Sequence, residues 1–108
     1  MNWHKLTTSE QLQHIKQASI AHPILIFKHS TRCSTSALAL SRLERAWKEN
    51  NVTPYFLDLL SYREISRKIE EEFKVTHESP QVLLIKGGQS VYDASHMAIS
   101  FDEISKHF

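Results

Sequence analysis

Apolar residues in this chain occur either in short unbroken runs or at every third or fourth position. The runs at residues 24–27 and 82–85 predict buried strands, because short apolar runs between polar segments are typical of strands covered on both faces. Residues 52–57 predict another strand, and Val91-Tyr92 predicts a last one. Since Gly87-Gly88 is a two-residue loop of the hairpin type, the last two strands are expected to be antiparallel.

Four other segments have the periodicity of helices that bury one face. The repeating apolar residues are Leu12, Ile15 and Ala18 in the first, Ala37, Leu40, Leu43 and Trp47 in the second, Ile65, Ile69 and Phe73 in the third, and Phe101, Ile104 and Phe108 in the last. The second is expected to run from Ser34 to about Asn50. Capping boxes are predicted for the others by the pairs Thr7 and Glu10, Ser61 and Glu64, and Ser100 and Glu103.

Composition and charge describe an ordinary globular chain of 108 residues, which is expected to form a single domain over residues 1–108. Lys and Arg number 13 against 12 Asp and Glu, so the charge of +1 gives no reason to expect a nucleic acid or a membrane as partner. No apolar stretch is long enough for a signal peptide or a membrane span. A cytoplasmic protein is therefore expected, in agreement with a lone cysteine that cannot form an internal disulfide.

That cysteine, Cys33, lies between the first predicted strand and the second predicted helix. A sulfur at this turn faces the positive end of the helix dipole, and with Arg32 and Lys28 or His29 nearby the position favours the thiolate, which is the nucleophilic form. The alternative is an inert core cysteine, since free cysteines are often buried. All six flanking residues, three on each side, are polar, which favours the reactive interpretation.

The order of elements is helix, strand, helix, strand, helix, strand, strand, helix, which combines a βαβ unit with a closing hairpin and helix. This order resembles the thioredoxin fold and implies an α/β fold with a central four-stranded mixed sheet flanked by helices. In that fold the reactive cysteine begins the helix after the first core strand, and a cis-proline begins the strand facing it. Cys33 and Pro80 occupy these places, so the resemblance implies a cis bond before Pro80.

Two phrases, Lys28 to Cys33 and His77 to Ile85, are similar to those of the monothiol bacilliredoxins of the bacillithiol system. That family usually has a proline directly after the cysteine and a serine at the third position; here Ser34 replaces the proline and Ser36 is retained. The resemblance implies an enzyme, a monothiol thiol-disulfide oxidoreductase, that removes bacillithiol or a similar small thiol from mixed disulfides on proteins.

The same resemblance implies roles for individual residues. Cys33 is the nucleophile, Pro80 forms the wall of the thiol pocket, and the backbone of Ser79 pairs with an extended substrate segment. Arg32 is expected to hold a carboxylate of bacillithiol, although a solvated arginine is the equal alternative. The remaining residues expected to contact thiol or substrate are Thr31, Ser34 and Ser36, and His96 is expected to approach the site from the turn after the last strand.

The implied partners are S-thiolated proteins and a small thiol or a reductase that regenerates Cys33. No tightly bound cofactor is expected, and no metal, because the seven histidines lack the spacing of zinc ligands. A cysteine phosphatase needs arginine at position 39, which is Ala39, and a dithiol oxidoreductase needs cysteine at Ser36. The alternative from another class is a non-catalytic thioredoxin-like module that binds a protein or peptide along Ser79-Pro80.

Overall fold

A five-stranded mixed sheet forms the centre of the computed structural model, which describes residues 1–108. The strands are β1 (His4–Lys5), β2 (Ile24–His29), β3 (Thr53–Asp58), β4 (Gln81–Lys86) and β5 (Gln89–Ser95), in the spatial order β1-β3-β2-β4-β5. The helices are α1 (Glu10–Ala18), α2 (Ser34–Ala46), α3 (Arg63–Phe73) and α4 (Phe101–Ser105), with one 3₁₀ turn at His96–Ala98. No helix combines the length and the apolar character that crossing a lipid bilayer requires.

The pairing of the strands follows the predicted connections. β2 and β3, which are joined through α2, are parallel, whereas β4 is antiparallel to both β2 and β5. The loop between β4 and β5 consists of Gly87 and Gly88, both with positive φ (60° and 78°), as a two-residue hairpin turn requires. The register places His29 opposite Asp58 and Lys28 opposite Gln81, so the end of β2 lies beside the end of β3 and the start of β4.

The predicted number of strands was wrong by one, because β1 was not expected. It contains only two exposed polar residues, His4 and Lys5, which carry no hydrophobic signal. They pair in parallel with Tyr55 and Phe56 of β3. Burial of the next residue, Leu6, and the hydrogen bond from its N–H to the carbonyl of Phe56 (2.9 Å) hold this short strand at the sheet edge.

The sheet separates two apolar cores. α1 and α3 cover one face with the predicted residues Leu12, Ile15, Ile65, Ile69 and Phe73, all of them buried. α2 and α4 cover the other face, where Ala39, Leu43, Phe101 and Ile104 are buried. β2 contributes alternately to both cores: Ile24 and Ile26 to the first, Leu25 and Phe27 to the second. β2 is buried throughout, which explains why an unbroken apolar run encodes it.

α2 differs from its prediction in length and in rotation. It ends at Ala46 instead of near Asn50, because Trp47 is already extended (φ −62°, ψ 126°) and packs against the ring of Phe101, 5.1 Å away. Its buried residues are Ser36, Ala39 and Leu43, whereas Ala37 is exposed. A buried polar residue therefore occupies part of the stripe that the apolar pattern assigned to Ala37.

The three predicted capping boxes do not form, since no N-terminal side chain caps α1, α3 or α4. Before α1, the side-chain oxygen of Gln11 instead accepts hydrogen bonds from the N–H groups of Thr7 (2.7 Å) and Thr8 (2.9 Å). Before α3, the hydroxyl of Ser61 donates to Asp58 Oδ2 (3.0 Å), and the helix begins later, after Tyr62. The prediction of capping boxes was therefore wrong, and at α1 and α3 nearby side chains make other hydrogen bonds instead.

Candidate thiol site

Cys33 is the residue directly before α2, at the N-cap position, with an extended backbone (φ −116°, ψ 117°). Its N–H donates to the carbonyl of Ser30 (3.2 Å), and its own carbonyl accepts from the N–H of Ala37 (3.1 Å). The residue is half-buried and its thiol is free. As the N-cap of this 13-residue helix, Cys33 lies at the positive end of the helix dipole. Its sulfur caps none of the N–H groups there, so it remains available to react.

Ser36 lies one turn further along α2 and is completely buried. Its Oγ accepts a hydrogen bond from the backbone N–H of Ser30 (3.1 Å) and lies 2.7 Å from Nδ1 of His29. Sequence reasoning expected Ser36 to contact the small thiol or the substrate. The structure directs its hydroxyl toward the sheet, where the hydrogen bonds account for a polar residue in the α2 core.

His29, the partner of Ser36, is 8% exposed and packs beside the ring of Phe56, with 5.3 Å between ring centroids. Burial lowers the pKa of His29 below its usual value, and the carboxylate of Asp58 opposes this only in part. Asp58 Oδ1 is itself buried and has no hydrogen-bond partner. Sequence reasoning named His29 only as a nearby cation and missed Asp58. The signal was the polar end of two adjacent parallel strands, where their final residues meet.

Pro80 lies at the same end of the sheet, directly before β4. The peptide bond between Ser79 and Pro80 is cis, the isomer that the resemblance implied, and Pro80 is buried. Its carbonyl accepts a hydrogen bond from the N–H of His96 (3.0 Å), so the turn after β5 adjoins the Pro80 segment. Ser79 is half-buried, and its Oγ has no hydrogen-bond partner. His96 Nε2 lies 3.8 Å from Glu78.

Three of the predicted contact residues, Thr31, Arg32 and Ser34, lie on the surface around Cys33. Arg32 takes part in none of the ion pairs of the structure, so its guanidinium group is free to bind an anion from solution. The site thus consists of an exposed rim on the loop before α2 and a buried group of polar residues beneath it.

Lys28 faces away from α2, because successive side chains of a strand point to opposite faces of the sheet. It is fully buried, and its Nζ donates to Oε1 of Gln81 (2.9 Å). Burial lowers the pKa of Lys28 to about 8, partly opposed by Glu70 and Glu78. Of the two cations that the sequence offered near the sulfur, Lys28 or His29, only His29 lies on the α2 face. Lys28 and His29 are consecutive residues of β2, so their side chains point to opposite faces of the sheet.

No three His, Cys, Asp or Glu side chains are grouped so that they could hold a metal ion. A family model described as monothiol bacilliredoxin BrxC matches residues 4–104, nearly the whole chain. The chain belongs to the monothiol bacilliredoxin family. Membership of this family agrees with the single free cysteine at the start of α2. It supports a thiol redox function for the bacilliredoxin site.

Comparison with solved structures identifies the fold of this bacilliredoxin. One protein described as having a thioredoxin fold is 26% identical with a TM-score of 0.80, and the match covers 94% of this chain and 89% of the other. Thioredoxin from Fasciola hepatica is 17% identical with a TM-score of 0.75 and coverages of 96% and 94%. Thioredoxin from Schistosoma mansoni is 14% identical, also with a TM-score of 0.75, and coverages of 98% and 92%. The predicted thioredoxin-like fold is confirmed, and family and fold together support a thiol redox function.

Proposed function

We propose that this bacilliredoxin is a thiol-disulfide oxidoreductase that removes bacillithiol, or a similar small thiol, from mixed disulfides on other proteins. The observation that supports this most directly is the position of Cys33: a lone thiol, half-buried, at the start of a long helix, with no hydrogen bond from its sulfur to the helix. Such a sulfur is accessible and lies at the positive end of the helix dipole.

The reaction consists of two thiol-disulfide exchanges. The Cys33 thiolate attacks the sulfur of bacillithiol in the mixed disulfide; a new S–S bond joins Cys33 to bacillithiol, and the substrate protein leaves as a thiolate. Because the chain has no second cysteine, a small thiol or a reductase must attack this adduct and restore Cys33. Atoms and electrons balance in each step, since one S–S bond forms as another breaks.

The surface around Cys33 supplies the binding functions in this proposal. Arg32 is exposed and unpaired, and binds a carboxylate of the malate group of bacillithiol through a charge-assisted hydrogen bond. Thr31 and Ser34 contact the bound thiol from the rim. Pro80 forms the wall of the pocket, and the backbone of Ser79 pairs with an extended segment of the substrate protein, as strand addition to a free backbone edge allows.

The test is intact-mass spectrometry after incubation with a protein that carries one bacillithiol mixed disulfide. We expect the wild type to gain one bacillithiol, the substrate to lose it, and Cys33→Ser to do neither. Ser41→Ala, which changes an exposed hydroxyl of the same helix, is the matched control and should react like wild type. Glutathione and cysteine mixed disulfides in parallel reveal the preferred thiol. If wild type acquires no adduct from any of them, the exchange mechanism is wrong, and the chain acts as a binding module instead.

A further inference from the structure

We propose that a cavity between α3 and the segment leading to Pro80 binds a small free dicarboxylate, and that Arg63 and Arg67 each bind one of its carboxylates. The cavity lies on the face of the sheet that α1 and α3 cover, whereas Cys33 begins a helix of the other face. This second site is therefore independent of the thiol chemistry of Cys33.

The cavity has a volume of about 290 Å³ and is formed by three parts of the chain. One stripe of α3 provides most of the wall, because residues three or four positions apart are neighbours on one face of a helix. Leu59, which follows β3, and His77, which precedes β4, complete the wall. Since Leu59 is its one apolar residue, the cavity suits a charged ligand. The residues that α3 contributes are Arg63, Ser66, Arg67 and Glu70.

Two arginines supply the positive charge of this cavity. Arg63 takes part in none of the ion pairs of the structure. Arg67 is paired with Glu64 through one nitrogen (3.0 Å), and both side chains of the pair are exposed. Such a pair is weak, and a guanidinium has five N–H donors, so Arg67 is able to bind a further carboxylate. Because Arg63 and Arg67 are neighbours on the helix, their two guanidinium groups suit the two carboxylates of one molecule.

The one carboxylate in the wall, that of Glu70, is compensated from within the protein. Its Oε2 accepts a hydrogen bond from the backbone N–H of His77 (2.6 Å). The buried amine of Lys28 also interacts with Glu70, which opposes the lowering of the pKa of that amine by burial. With a pKa of about 8, Lys28 stays mostly protonated near pH 7. The charges of Arg63 and Arg67 are therefore the ones that remain for a ligand.

A buried hydroxyl in the wall is a second, independent sign of a ligand. Ser66 is 6% exposed, and the one hydrogen-bond partner of its Oγ is Nδ1 of His77, 3.5 Å away. Hydrogen bonds of hydroxyl groups are usually shorter than about 3.0 Å, so this contact is weak. Buried hydroxyls normally have a well-placed partner. A carboxylate bound by Arg63 and Arg67 supplies that partner, because Ser66 lies between them in the wall.

The experiment is an NMR titration of the wild-type protein with succinate near pH 7 at constant ionic strength. We expect saturable shifts at Arg63, Ser66, Arg67 and His77 with a Kd of about 1 mM, and about tenfold weaker binding of acetate, which engages one guanidinium only. Arg63→Gln and Arg67→Gln should each weaken succinate binding about tenfold. Lys68→Gln removes an equal charge from an exposed position of the same helix outside the cavity, so this matched control should bind like wild type.

Several outcomes would overturn the proposal. They are the absence of saturable shifts up to about 20 mM succinate, an affinity for acetate equal to that for succinate, or an equal loss of affinity in Lys68→Gln. Tighter binding of inorganic phosphate than of succinate would overturn the choice of a dicarboxylate. Arg32→Gln, beside Cys33, should leave the affinity unchanged, and a loss there would mean that succinate binds at the thiol site. None of these readouts involves bacillithiol transfer, so the two proposals fail separately.

Discussion

Lys28 and His29 are adjacent in β2, yet they belong to two different polar clusters on opposite faces of the sheet. We call His29, Ser30 and Ser36 the helix cluster and Lys28, Gln81 and the carbonyl of Thr76 the loop cluster. In the helix cluster the histidine is bound to the helix that begins at Cys33. In the loop cluster the lysine is bound to Gln81, whose Nε2 donates to Thr76 (3.1 Å) and so holds the segment that leads to Pro80.

The difference between the clusters shows how one strand end serves two purposes. The helix cluster has a histidine whose charged form is disfavoured by burial, a serine hydroxyl bound to that histidine, and the cysteine one helical turn away. The loop cluster has a buried amine with one hydrogen-bond partner among the side chains, and it is separated from α2 by the sheet. Changes in the helix cluster should therefore alter chemistry at Cys33, whereas changes in the loop cluster should alter stability. The following predictions test this division.

The largest effect should come from Ser36→Cys, which introduces a second thiol into the helix cluster. In wild type the bacillithiol adduct should persist without added reductant. In the variant the new thiol, one helical turn from Cys33, attacks the Cys33 sulfur and expels bacillithiol, leaving an internal disulfide. Intact-mass measurement should show an adduct on wild type and a loss of two hydrogens on the variant. An adduct that persists on the variant would mean that residue 36 does not reach the sulfur.

Gln81→Leu should cause the largest loss of stability, because it leaves the buried amine of Lys28 without its acceptor. We expect the free energy of unfolding to fall by about 3 kcal/mol, measured by urea denaturation near pH 7. The double variant Lys28→Met with Gln81→Leu should recover most of that loss, since no buried charge remains. If the double variant is as unstable as Gln81→Leu, the loss arises from the Thr76 segment and not from Lys28.

Alkaline pH should stabilise the protein through Lys28. Its pKa is about 8 in the folded chain, against an ordinary value of 10.5. Between these values the unfolded chain holds a proton that the folded chain lacks, so stability rises with pH in this window. The gain is about 3 kcal/mol at most, because the pKa of Lys28 falls from 10.5 to about 8 and each pKa unit corresponds to about 1.4 kcal/mol.

Denaturation curves of wild type and Lys28→Met at several pH values test this rise, which the variant should lack. The comparison with the variant is necessary because burial also raises the pKa values of Tyr55 and Tyr92. Those shifts reduce stability as pH rises past about 10, where unfolded tyrosines ionise first. If the free energies of unfolding of wild type and Lys28→Met change with pH in the same way, the assignment to Lys28 is wrong.

A smaller effect on stability, from His29 of the helix cluster, should appear at acidic pH. The pKa of His29 is lowered by burial, so the unfolded chain takes up its proton first as pH falls below the ordinary histidine value of 6.5. Stability should therefore decline through that range, and His29→Asn should weaken the decline. His77, whose pKa is also lowered by burial, contributes in the same direction, and His77→Asn measures its share. If the free energy of unfolding of His29→Asn falls with decreasing pH as steeply as that of wild type, His29 does not titrate below its usual range.

Sequence reasoning predicted the elements that hydrophobic burial encodes. β2 and β4 were found because both are buried throughout most of their length, and α3 was found because Ile65, Ile69 and Phe73 share one face. β1 was missed because backbone pairing and the burial of a single residue hold it. The capping boxes were predicted wrongly because local spacing does not decide which hydrogen bonds a serine or threonine side chain makes, as the bonds of Gln11 and Ser61 show.

The candidate site was predicted only in part, for a related reason. The position of Cys33 followed from the strand and helix around it, and that of Pro80 followed from the resemblance. The contact between His29 and Ser36 joins a strand to a helix, and its geometry depends on the exact rotation of α2 about its axis. The apolar pattern predicted a rotation that buries Ala37, whereas the structure buries Ser36. A serine between apolar residues was nevertheless a signal, because a buried hydroxyl requires partners.

The short strand β1 and the proline within β3 have a consequence for association between molecules. The N–H of Thr53 donates toward β2, and the carbonyl of Phe56 accepts from Leu6 beside β1, so alternate residues of β3 face opposite neighbours. The nitrogen of Pro54 therefore faces the outer edge of the sheet and has no proton to donate. A strand from another molecule that tried to replace or lengthen β1 would find no donor there. This edge is thereby protected from the strand-to-strand aggregation to which open sheets are prone.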